Sequence, residues 1–143
     1  MGLDMYLNER IYFGGNFRGT MPNGSIKNSV GRHNANEISE VIKPAVYWRK
    51  ANAIHKWFVD NIQDGIDECD LYRVPYSKLM ILKELCDEVL KNRDEAEELL
   101  PTFSGFFFGS TDYDEYYFEE LERTSEELAK LSKDSSYEYS SCW

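Results

Sequence analysis

An α+β fold is predicted: a small sheet of about three strands with roughly three helices packed on one face. Three observations predict it. Apolar and polar residues alternate at the start of the chain, apolar residues recur at helical spacing in three later segments, and the order strand, helix, strand, helix, strand, helix leaves one helical layer over one sheet. The 143 residues suit a single domain, and 42% of them are hydrophobic and 15% aromatic, enough to fill a core without disulfide staples.

Each element has its own signal. Leu3, Met5 and Leu7 alternate with Asp4 and Tyr6, the period of a half-buried strand that runs on toward Phe13. Residues 14–36 hold five of the nine glycines with many Asn, so they read as a long loop inside a domain spanning 1–133. A helix is expected from Pro44, with Tyr47, Ala51, Ile54, Phe58 and Ile62 on its buried face and Asp64-Gly65 as its stop. Leu71–Val74 reads as a short strand ended by Pro75, and Ser77 caps a second helix with the stripe Leu79, Leu82, Cys86 and Val89. A short acidic helix covers Asp94 to Leu100, and Phe103–Phe108 reads as a strand or a turn into one. Asp112 and Glu115 form a capping box for the last helix, whose seam is Tyr117, Leu121, Thr124, Leu128 and Leu131. The Ser-rich segment 134–143 shows no period and is expected to be a flexible tail.

Charge is split along the chain. Residues 1–59 carry eight Lys and Arg against four Asp and Glu; residues 60–143 carry eight against twenty-two, for a net charge of −10. Such a surface repels a nucleic-acid backbone, so direct nucleic-acid binding is not expected. No apolar run reaches the ~18 residues of a membrane span, and no basic-then-apolar leader is visible, so no membrane partner is expected. Cys69, Cys86 and Cys142 are odd in number, widely spaced and lack CxxC, which argues for a reducing cytoplasm.

Four constellations carry candidate chemistry. On the expected central helix, Trp48, Arg49, Asn52 and His55 supply a stacking plane, an anion fork, an amide and an imidazole for a small anionic ligand; solvated cations and a hydrogen-bonded core His are the plainer reading. Ser110, Thr111 and Asp112, at a helix start, form an anion cradle or, more simply, a cap. Asp60–Glu68 imitates a calcium loop but has Ile62 and Leu71 where ligands are needed, and the cysteines lack metal spacing, so no metal is expected. Glu115, Glu119, Glu122 and Glu126 line one face of the last helix, either as a solvated face or as an interface for a basic protein or a mimic of a phosphate backbone. No nucleophile elbow, phosphate loop, zinc motif or dinucleotide fingerprint occurs, so no catalytic residue and no cofactor is assigned.

Three segments, Met1–Leu7 (MGLDMYL), Tyr47–Phe58 (YWRKANAIHKWF) and 105–117 (GFFFGSTDYDEYY), resemble a family of short proteins encoded by bacteriophages and prophages. The resemblance covers most of the chain apart from the Gly/Asn-rich loop and the tail. It implies a phage accessory protein in the bacterial cytoplasm and carries no catalytic residues with it. The expected function is non-catalytic binding to a host protein or small ligand, with counter-defence as one form of that role. The alternatives are a small enzyme acting on a nucleotide-like substrate through Arg49 and His55, and a nucleic-acid mimic using the acidic last helix.

Overall fold

The computed structural model describes residues 2–12 and 39–143. The expected loop at 14–36 lies outside the described residues. Four strands build one antiparallel sheet: β1 (Asp4–Tyr12), β2 (Glu40–Arg49), β3 (Leu71–Val74) and β4 (Ser136–Cys142), in the order β2-β1-β4-β3. The helices are α1 (Asn52–Asn61), α2 (Tyr76–Lys91), the short α3 (Ala96–Leu99) after a 3-10 turn at Arg93–Glu95, and α4 (Glu115–Ala129). The class is therefore α+β, with four strands and four helices among the described residues where about three of each were expected.

Strand alternation sets the two faces. Met5, Leu7, Val46, Trp48, Val74, Tyr137 and Tyr139 point into the core, while Tyr6, Ile42, Tyr47 and Leu71 are exposed on the other side. The helical seams close the core as their spacing requires: Ile54 and Phe58 from α1, Leu82 and Val89 from α2, and Leu121 and Leu128 from α4 are all buried.

Several expected elements differ. The helix begins at Asn52, not Pro44, and Tyr47, Trp48 and Arg49 belong to β2. Pro44 lies opposite Asn8 at a bulge in this edge strand, a place where a missing N–H breaks no ladder bond. Lys50, at φ 56, turns the chain out of the strand and into α1. Phe103–Phe108 is a loop with a turn at Phe106-Phe107, not a strand. α4 is capped by Asp114, whose carboxylate accepts from the Tyr117 amide at 3.0 Å, two residues beyond the expected cap at Asp112. The largest difference is the C-terminus. Ser136–Cys142, expected to fray, is a strand paired on both sides, to β1 and to β3.

Candidate functional site

Trp48 and Arg49 are consecutive in β2 and so point to opposite faces. Trp48 is fully buried, and its indole N–H donates to the Thr124 hydroxyl at 2.8 Å. It packs against Phe58 and is closed to a ligand. Arg49 is exposed on the outer side of the sheet, in the register row that also holds Asp4 and Cys142.

His55 is fully buried on the core side, so it does not converge with Arg49. Its Nε2 lies 2.9 Å from the Asp67 carboxylate and its Nδ1 2.7 Å from the Tyr139 hydroxyl. A carboxylate can only accept, so Nε2–H donates to Asp67 and the neutral ring accepts the Tyr139 proton at Nδ1. Burial holds the imidazole below its ordinary pKa against the opposing pull of Asp67, and burial holds the Tyr139 phenol well above its own. Phe103, Phe108, Tyr139 and Trp143 surround the ring at centroid distances of 5.3–6.3 Å. With both nitrogens engaged and four aromatics around it, His55 organises the core and is placed badly for a general base.

Asn52 is a second organiser. Its amide donates to the Phe108 carbonyl at 3.1 Å and to the Ser110 carbonyl at 2.8 Å, and its oxygen accepts from the Phe103 amide at 3.0 Å. These three bonds tie the 103–110 loop to the start of α1. Ser110 is thereby brought to Asn52 through its backbone, while its hydroxyl accepts from the Asp112 amide at 3.0 Å, a local turn. Thr111 is exposed, and its carbonyl accepts from the Thr102 hydroxyl.

Asn52, Ser110 and Asp112 share a small cleft with Lys50, Thr102 and Tyr116, whose cavity of about 30 Å³ has room for little more than water. Its walls also include Asp114 and Glu120, so three carboxylates face one lysine. That balance does not favour an anion. A larger void of about 350 Å³ lies at the far end, by the β2 bulge, between Glu9 and Lys43 on one side and Glu127 and Lys130 on the other.

Glu115, Glu119, Glu122 and Glu126 are exposed along α4. Glu115 pairs with Arg93 at 3.2 Å; among the described residues the other three have no ion pair. The Asp60–Glu68 segment is spent on structure: Asp60 pairs with Lys56, Asp67 with His55, and Glu68 accepts from Tyr72. Among the described residues no three metal-ligating side chains cluster, and no helix is long and apolar enough to cross a membrane.

The sequence reading missed the outer sheet face. Tyr47, Tyr6, Ser140 and Leu71 stand in one register row across all four strands, and Tyr6 and Tyr47 pack with ring centroids 5.3 Å apart. Ile42 stands further along β2. These four large side chains are 41–51% exposed, and no described element covers them. Period-two alternation at Tyr6 was the one signal available; Tyr47 was hidden by its assignment to a helix. The edge of β2, by contrast, is guarded. The Tyr47 carbonyl accepts from Arg123 at 3.0 Å and the Arg49 carbonyl from the Tyr116 hydroxyl at 2.8 Å, both from α4.

Among the described residues, the chain is thus of the class in which helices cover one face of an antiparallel sheet and none covers the other. Comparison with protein-family models, with curated proteins and with solved structures finds no match.

Proposed function

We propose that this chain is a non-catalytic binding protein, of the bacteriophage accessory kind its sequence resembles, and that it docks on a host protein through the outer face of its sheet. The observation that carries this reading is the row Tyr47, Tyr6, Leu71 with nearby Ile42, half-exposed on a face that no described element covers. Tyrosine offers a large apolar area with a polar tip at little entropic cost, which suits a protein interface better than solvent. Several large apolar side chains half-exposed on one sheet face are a common mark of an interaction surface. The occupant is a different protein, not a second copy, because a net charge of −10 opposes self-association. Sealing of His55 weighs against the enzyme reading, and the guarded β2 edge weighs against strand addition at that edge.

The exposed Glu119, Glu122 and Glu126 support a second reading, in which α4 meets a basic partner. Substituting Tyr6→Lys with Leu71→Lys tests the first reading against the second. The partner recovered with the wild-type chain from bacterial cells should be lost, while Glu122→Lys retains it. A partner kept by the sheet-face variant and lost by the helix variant would reverse the assignment.

A further inference from the structure

The register of β3 against β4 pairs Val74 with Tyr137, Tyr72 with Tyr139 and Leu71 with Ser140. Cys142 lies two residues beyond Ser140 in β4, and Cys69, in a bend just outside β3, lies two residues before Leu71. Asp67, two residues before Cys69, and Trp143, next to Cys142, both reach the His55 ring, so the two cysteines flank one corner, where a disulfide needs Cα atoms roughly 4.4–6.8 Å apart. The Cys69 thiol is close enough to Cys142 and to the Trp143 backbone for both to influence its pKa. Both cysteines are free and exposed, whereas Cys86 is free but wholly buried in the core. Partial desolvation, with Cys142 and Asp67 nearby, raises the Cys69 thiol above its ordinary pKa. Burial pushes Cys86 to about 12, which leaves it inert.

We propose that Cys69 and Cys142 form a reversible dithiol–disulfide site, closed across the end of β3 and β4 by exchange with a low-molecular-weight disulfide. One cysteine loses its proton and its thiolate attacks a sulfur of the small disulfide. The S–S bond breaks, and one small thiol leaves with that proton. The second cysteine then loses its proton and attacks the protein sulfur of the mixed disulfide, forming the cross-strand bond and releasing the second small thiol. Two protein thiols are oxidised by two electrons, and one disulfide is reduced to two thiols.

Closure would fix the end of β4, with Trp143, to the segment that carries Asp67, and both bear on His55. The site would therefore stiffen the same corner that holds the buried imidazole.

The test uses the native full chain with oxidised glutathione as the probe, followed by alkylation and peptide mapping without reductant. The expected product has lost two hydrogens, contains one Cys69–Cys142 cross-linked peptide and leaves Cys86 free until the chain is denatured. Dithiothreitol should restore both thiols. The melting temperature of the oxidised form should be higher by roughly 10 °C, because the bond closes a long loop of the unfolded chain. Cys86→Ser should close as the wild type does, while Cys69→Ser or Cys142→Ser should stop at the mixed disulfide. Stable glutathione adducts on both cysteines without closure, a cross-link through Cys86, or linkage only between molecules would each overturn the proposal.

Discussion

The Tyr139 ring lies flat on the Phe58 ring, with centroids 3.8 Å apart and planes 7° from parallel. This stack joins the last strand to the first helix and makes the C-terminal segment part of the core. Tyr139→Ala should cost about 3–5 kcal/mol in urea unfolding, and removing residues 136–143 should abolish the cooperative transition, since β4 separates β1 from β3. A truncated chain that melts like the full one would show that the strand contributes nothing.

Trp48 and Thr124 make the second long-range link, through a buried hydrogen bond. Thr124→Val keeps the shape and strands the indole N–H, so it should lower stability by about 1–3 kcal/mol. Pairing it with Trp48→Phe should cost less than the two single losses added together, because the orphaned donor is then gone. Strict additivity in chemical denaturation would mean that the bond is not made.

Asn52→Ala should destabilise by about 2 kcal/mol, since two carbonyls and one amide of the 103–110 loop lose their partner at once. Amide hydrogen exchange should quicken first at Phe103, whose N–H donates to Asn52. Unchanged protection at Phe103 would remove Asn52 from this role.

His55 predicts the pH dependence. Its pKa is lowered in the fold, mainly by burial, so the unfolded chain takes up a proton below about pH 6.5 that the folded chain resists. The stability this group contributes is fully present above that pH. It is lost as pH falls toward the lowered folded value, with a slope of at most about 1.4 kcal/mol per pH unit. Melting temperature measured from pH 7.5 down to pH 5 should fall for the wild type and fall less steeply for His55→Gln. Parallel curves for the two proteins would sink this account.

The fold was legible wherever one element generated its own period. The stripes of α2 and α4 needed only large apolar residues at helical spacing, and β1 needed only Leu3, Met5 and Leu7. Reading failed where a distant partner decided. Tyr137 and Tyr139 alternate as a strand requires, yet four nearby serines suggested solvent, and the pairing with β1 is invisible along the chain. Tyr47, Ala51 and Ile54 imitate a helical face only by accident across the turn at Lys50, whose left-handed backbone no local pattern announces. The candidate cluster dissolved for the same reason: once β2 takes Trp48 and Arg49, strand alternation sends them to opposite faces. Cys69 and Cys142 are brought to one corner only by the pairing of β3 with β4, which no local pattern announces.

The central claim is that the outer sheet face, not the acidic helix, receives a protein partner. A photo-crosslinking amino acid placed singly at Tyr6, Tyr47 or Glu122 in the full chain, expressed in bacterial cells, tests it most directly. The account predicts one crosslinked protein common to Tyr6 and Tyr47 and absent from Glu122. Crosslinks from Glu122 alone, or self-crosslinked dimers from Tyr6 and Tyr47, would contradict it.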